Sequence, residues 1–337
     1  MDQIRNVDEE FYGDNSAIRP FQSLTFLKFE KMMAWERWQI LSNGMFSSLE
    51  VLHISKCLQL TGDFPSELLS LKELEMIDCP KLMLLHGGMT TLHIQVGFLK
   101  HLPSFQKLHM YGMPNMQDFP LSRLPLSLIE LLIGDCDTLK FELLGSDTTG
   151  SCNTSLETLT IENCESLPDI PLGMFPALQV LKISDCENLQ TISFHCGVQP
   201  LNLRSLPIWN CEKLKLLPTQ MNNVLQSLHF FELSYCQEIE RFPKGGFPSN
   251  LRILFIIGCN KLMTSQNEWG VQTLTRHRYC RIQSSDVESF LTDSIFPPSL
   301  ETLTLAHHPN LQTLNYKGLQ NLTSLQNLTI WNCPRLY

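Results

Sequence analysis

Nowhere among the 337 residues does a run of apolar side chains approach the ~18 needed to cross a membrane. The opening MDQIRNVDEEFYG is acidic and lacks the apolar core of a secretory signal. No membrane partner is expected, and the location implied is cytoplasmic or nucleo-cytoplasmic. Charge is modest at 18% of residues, and the positive sign is the scarcer, 25 Lys and Arg against 34 Asp and Glu. A net charge of −9 without any Lys/Arg run opposes attraction to phosphate backbones, so no nucleic-acid partner is expected either. The motifs of chemistry are missing as well. No two cysteines stand at C-x₂₋₄-C spacing, and there is no H-E-x-x-H, no G-x-S-x-G and no G-x-x-x-x-G-K-[ST]. The pair His307-His308 has no third ligand near it in sequence. No enzyme activity, cofactor or resident metal is expected.

What is present is a recurring twelve-residue phrase. LETLTIENCESL from Leu156 aligns with LEVLHISKCLQL from Leu49, LKELEMIDCPKL from Leu71, LIELLIGDCDTL from Leu128 and LQVLKISDCENL from Leu178. It recurs as LRSLPIWNCEKL from Leu203, LHFFELSYCQEI from Leu228, LRILFIIGCNKL from Leu251 and LQNLTIWNCPRL from Leu325. Copies starting at Leu24, Phe105 and Leu300 lack the cysteine, and His277, Cys280 and Ile282 mark another, with histidine in the first leucine slot. Successive starts at 156, 178, 203, 228 and 251 lie 22 to 25 residues apart, the period of a leucine-rich repeat. Alternation within L-x-L gives one short strand per copy, which buries its apolar face only when copies stack. The fold class expected is a leucine-rich-repeat solenoid of the α/β type. It is a horseshoe with a parallel sheet on the concave side and irregular or 3₁₀ segments on the convex side, where Pro168, Pro218 and Pro243 follow the signature.

The cysteine of the phrase fills one slot nine times, at Cys57, Cys79, Cys136, Cys164, Cys186, Cys211, Cys236, Cys259 and Cys333. Nine catalytic or metal sites in one chain are implausible. A small, weakly polar side chain just past the strand turns inward and offers its S–H to a neighbouring carbonyl, so these are structural cysteines. Stacked strands bring them near bridging distance, but parallel side chains in a reducing compartment remain free thiols.

Function on such an array resides in the outward strand positions. These read Ser205, Pro207, Trp209, then Phe230, Glu232, Ser234, then Ile253, Phe255, Ile257. Trp209, Phe230, Ile253, Phe255 and Ile257 form a candidate partner-binding face, because large exposed apolar patches mark interaction sites and aromatic anchors dominate their energy. Pro207 lacks the amide a central strand donates, so a local distortion is expected there. The middle outward positions of the early copies, His53, Glu75, His93 and His109, could chelate a cation or sense protons. The copy holding His93 starts only 16 residues before Phe105, too short for a full coil, and an ordinary solvated face is the favoured reading.

The cysteine-bearing repeats, the L-x-x-(F/L)-P continuation, Phe11 to Gly13, and the M-x-x-W-E-x-W block from Met32 to Trp38 resemble the C-terminal repeats of plant coiled-coil NB-LRR immune receptors. Members of that family join a coiled-coil signalling domain and a nucleotide-binding (NB-ARC) switch to such an array. The resemblance implies a protein-binding sensor or autoinhibitory domain in defence. Its partner would be a pathogen effector, a guarded host protein or the NB-ARC domain of a full-length receptor. No coiled-coil or nucleotide-binding part is visible and the chain stops at CPRLY, so a fragment or truncated product is expected. The domain reading is a lead-in or partial repeat at 1–19 and a repeat domain at 20–337, of about thirteen repeats, irregular at 83–104 and 263–299. The alternative is the repeat array of an F-box substrate receptor of a ubiquitin ligase.

Overall fold

The computed structural model describes residues 4–8, 21–38, 45–61, 68–82, 99, 101–114, 116, 119, 124–141, 155–194, 201–290 and 295–337. The chain divides into two compact units, Met1–Leu167 and Pro168–Tyr337.

Each phrase forms one five-residue strand, and within each unit every strand pairs in parallel with the next. Unit 1 holds β1 (Phe26–Glu30), β2 (Val51–Ser55), β3 (Glu73–Ile77), β4 (Lys107–Tyr111), β5 (Glu130–Gly134) and β6 (Thr158–Glu162). Unit 2 holds β7 (Val180–Ser184), β8 (Ser205–Trp209), β9 (Phe230–Ser234), β10 (Ile253–Ile257), β11 (Tyr279–Gln283), β12 (Thr302–Ala306) and β13 (Asn327–Trp331). The second and fourth residues of the strands point inward. Leu52 and Ile54, Leu74 and Met76, Phe231 and Leu233, and Leu254 and Ile256 are all buried. So is the leading leucine of the phrase, as at Leu49, Leu156, Leu203 and Leu251, so the period-2 alternation and the leading slot together build the core.

One residue past each strand the backbone enters the left-handed region, at Lys31, Lys56, Asp78, Gly112, Asp135 and Asn163 in unit 1. The same holds at Asp185, Asn210, Tyr235, Gly258, Ser284, His307 and Asn332 in unit 2. Eight of these thirteen are Asp, Asn or Gly, the residues that adopt this conformation at least cost. The turn continues the ladder by one bond, as when the Asp185 amide donates to Trp209 at 3.0 Å and the Tyr235 amide to Ile257 at 2.7 Å. It also aims the next residue, the cysteine of the phrase, into the core.

Opposite the sheet the chain returns through short pieces, consistent with a repeat too brief for a full helix. A parallel pair joins Asp169–Pro171 to Thr191–Ser193. Turns of helix cover Leu172–Met174, Met221–Val224, Asn260–Met263, Gln266–Glu268, Val271–Thr273 and Tyr316–Gln320. The M-x-x-W-E-x-W block closes the first coil of unit 1. Phe29 meets Trp35 at 4.6 Å and Trp38 at 5.3 Å between ring centroids, the Trp35 indole donates to the Arg37 carbonyl at 2.8 Å, and Asn6–Val7 pairs with Arg37–Trp38. The candidate strand around His93 lies outside the described residues, and β3 pairs directly with β4.

Candidate protein-binding face

The cysteine slot comes first, because it fixes which side chains remain for function. Cys57, Cys79, Cys136, Cys164, Cys186, Cys211, Cys236 and Cys259 are buried, Cys333 is partly exposed, and all are free thiols. Each sulfur lies near the carbonyl two residues back, as Cys136 to Gly134 at 3.1 Å and Cys164 to Glu162 at 3.3 Å. Several also reach the preceding coil, Cys79 to Ile54 at 3.7 Å and Cys259 to Leu233 at 3.5 Å. Burial pushes the Cys259 thiol up to about 11, which suppresses the reactive thiolate.

Two later repeats fill this slot differently. In the phrase from His277 it holds Ser285, and in the phrase from Leu300 it holds His308. His308 Nε2 lies 3.1 Å from the Ile282 carbonyl, the same preceding-coil acceptor that the cysteines use, and its Nδ1 lies 2.8 Å from the Ser285 hydroxyl. These partners suit a neutral imidazole with its proton on Nε2, and burial lowers its pKa. His308 is therefore a ladder residue. His277 occupies the first leucine slot, fully buried, and neither ring nitrogen finds a hydrogen-bond partner. Burial alone depresses it to about 4.

The outward face of β8–β11 carries three rows. Residue-by-residue pairing gives Ser205, Phe230, Ile253, Tyr279 in the first row, Pro207, Glu232, Phe255, Arg281 in the second, and Trp209, Ser234, Ile257, Gln283 in the third. Trp209, Phe230, Ile253, Phe255 and Ile257 are all half-buried and none belongs to the core. Phe230 and Phe255 meet edge to face with centroids 5.4 Å apart, and Phe255 meets Tyr279 at 5.4 Å. Such pairs contribute about 0.5–1.5 kcal/mol beyond the area they cover. Trp209 stands apart from these rings, with Ser234 between it and Ile257. The exposed Tyr235 ring lies over Gly258, where a Cβ would come within 2.6 Å of it. Tyr279, on the strand next to β10, completes the ring cluster and lies one phrase beyond the three whose outward positions the sequence assigns.

Charge frames the rings. Immediately before the first row come Arg204, His229, Arg252 and Arg278, whose backbones follow one another in the ladder. Arg278 pairs with Glu301 at 2.8 Å, whereas Arg204 and Arg252 have no ion-pair partner among the described residues. Arg281 holds the Gln283 side chain at 2.6 Å, and Glu232 accepts from the Ser234 hydroxyl at 3.0 Å. Against a chain that is acidic overall, this face has a basic margin. The expected irregularity at Pro207 is visible: β8 pairs with β9 along its full length, but with β7 only through Ser205, Ile208 and Trp209.

The stacked phrases, the parallel ladder and the inward cysteine slot define a leucine-rich-repeat solenoid. Its relatives are plant disease resistance proteins, in keeping with the resemblance to the repeats of NB-LRR receptors. The Arabidopsis thaliana disease resistance protein At3g14460 is 30% identical over 301 residues, which is 78% of this chain and 21% of that protein. The disease resistance RPP13-like protein 1 of the same plant is 27% identical over 226 residues, 63% of this chain and 18% of that protein. The chain thus spans about a fifth of the length of the curated relatives it matches. No family model matches. Among solved structures, the circular leucine-rich-repeat protein CroV588 aligns with a TM-score of 0.48 at 16% identity, covering 92% of this chain and 46% of that one. No helix among the described residues is long and apolar enough to cross a membrane.

Proposed function

We propose that this chain acts in plant defence as a non-catalytic, cytoplasmic protein-binding array, and that its partner docks on the outward face of β8–β11. The partner, a pathogen effector, a guarded host protein or a receptor's own nucleotide-binding switch domain, presents an apolar anchor surrounded by acidic side chains. The observation that carries this reading is the ring cluster Phe230, Phe255, Tyr279, drawn from the first and second rows. Three rings in contact stand on a sheet face where solubility alone would place polar residues, beside two arginines that lack an ion-pair partner among the described residues. Ring anchors supply the affinity, and the basic margin supplies steering and selects acidic surfaces.

The test places a photo-crosslinking side chain at position 255 of the full chain in plant tissue, with position 304 on the outward face of β12 as control. A protein captured from 255 and not from 304 is then purified and titrated. Arg204→Glu with Arg252→Glu should weaken its binding at least tenfold, and added salt should weaken the wild-type complex. Equal capture from both positions, or binding indifferent to charge reversal and salt, contradicts the reading.

A further inference from the structure

The outward face of unit 1 has a different chemistry. In residue-by-residue register, β2, β3 and β4 carry His53, Glu75 and His109 in the middle row and Val51, Glu73 and Lys107 in the first. One ligand atom each from His53, Glu73 and Glu75 falls within 4.8 Å of the others, and all three side chains are half-buried. We infer that His53, Glu73 and Glu75 form a binding site for one divalent transition-metal ion of the zinc class, held on the sheet face with open coordination positions.

Three observations support this assignment. The donor set is one imidazole and two carboxylates, the nitrogen–oxygen mixture that zinc-class ions accept at about 2.0–2.2 Å. The ligands spring from adjacent strands of a hydrogen-bonded ladder, so their backbones are fixed and only rotamer adjustment is needed to converge. The edge of the Phe26 ring meets the His53 imidazole at 5.1 Å between centroids, restraining the ring orientation as an outer shell does at a metal site.

Charge is the observation that separates this cluster from its neighbours. Three other carboxylates on or beside this face have cations, Glu30 with Lys28 at 2.7 Å, Glu50 with Lys72 at 2.7 Å and Glu130 with Lys107 at 3.7 Å, and Glu162 accepts from the Tyr111 hydroxyl at 3.3 Å. Among the described residues, Glu73 and Glu75 pair with no lysine or arginine. The one partner is His53, whose Nε2 stands 3.4 Å from Glu73. With that imidazole neutral the cluster carries two negative charges, which one divalent cation cancels. His109 flanks Glu75 on the far side but is engaged by Glu130 at 3.1 Å, which leaves His53 as the imidazole ligand. Three protein ligands leave room for water or for a carboxylate of a docked protein.

The experiment titrates the full chain, freed of metal by a chelator and kept reduced, with Co²⁺ and Zn²⁺ alone, following heat and the cobalt visible spectrum. One equivalent should bind, with no thiolate-to-metal charge-transfer band, since no cysteine is a ligand. Affinity should fall in acid, because protons compete with the metal for its ligand atoms. Glu73→Gln, Glu75→Gln and His53→Ala, each checked for native circular dichroism, should each lose at least about tenfold in affinity. Glu212→Gln, at an exposed position of the other unit, should change nothing. Absence of binding by the wild-type chain, a thiolate band, or affinity equal in wild type and all three variants overturns the site. Should a variant fail to fold, the wild-type stoichiometry and spectrum still decide.

Discussion

His277→Leu should stabilise this protein, and more so in acid. The histidine sits in a slot where the neighbouring phrases place Leu251 and Leu300, both fully buried. At pH 7 its imidazole is neutral, and a buried polar group without partners costs about 1–3 kcal/mol, which leucine removes while filling the slot its neighbours fill. Protonation adds the second effect. The pKa drops from 6.5 to about 4 on folding, so the unfolded chain binds the proton more readily between those values. Stability is therefore fully present above pH 6.5 and is lost as pH falls toward 4. Between pH 7 and pH 5 the linkage comes to about 2 kcal/mol. Guanidinium melts at both pH values should show His277→Leu ahead by about 1–3 kcal/mol at pH 7 and by about 2 kcal/mol more at pH 5. Part of the acid sensitivity will persist, because His308 is also buried with a lowered pKa. A variant no more stable than wild type, with the same pH slope, would refute the placement of His277 in the core.

The cysteine slot gives a graded test. Cys164→Ala should cost roughly 1 kcal/mol by denaturant melt, whereas Cys164→Lys buries an unpaired charge and should abolish folding of its unit. A thiol reagent should react slowly with the native chain, because burial raises the Cys259 thiol to about 11 and raises that of the fully buried Cys280 further. The same reagent should count most of the twelve cysteines once the chain is denatured without reductant; mostly bridged cysteines would contradict the free-thiol account. Calorimetric titration with ATP and ADP should be flat, since the phosphate-cradling G-x-x-x-x-G-K-[ST] motif is absent from the sequence, and micromolar binding would overturn the sensor-only reading.

The strand ladder was legible because its signal is redundant: alternation and an inward slot recur in every phrase, a leading leucine in all but those from Phe105 and His277, and thirteen left-handed residues mark the same turn. The outward assignment of Phe230 and Phe255 followed from register once the leucines were aligned. Tyr279 escaped because outward positions were assigned only in the three most regular phrases, from Leu203, Leu228 and Leu251, and the phrase opened by His277 departs from that pattern. His308 was weighed as a metal ligand lacking partners, whereas its partners are a hydroxyl and a carbonyl from the preceding coil, which no sequence spacing shows. Glu73 was missed for a geometric reason. Only the middle outward row was read as a column, yet a first-row carboxylate reaches diagonally toward the middle-row imidazole of the preceding strand. The interruption at Pro207 was foreseeable from a missing amide alone, but its restriction to the β7 side depends on which way that amide would have pointed.

The claim that recognition runs through the ring cluster is tested most directly by the affinity of the protein captured at position 255 for the wild-type chain and for the double variant Phe230→Ala with Phe255→Ala. Loss of a central aromatic anchor costs ~2 kcal/mol or more of binding, about thirtyfold, while half-buried outward positions contribute little to the fold. The account predicts a loss beyond thirtyfold with circular dichroism and melting temperature close to wild type. Undiminished affinity would place the binding surface elsewhere, and an unfolded double variant would show that these rings belong to the core.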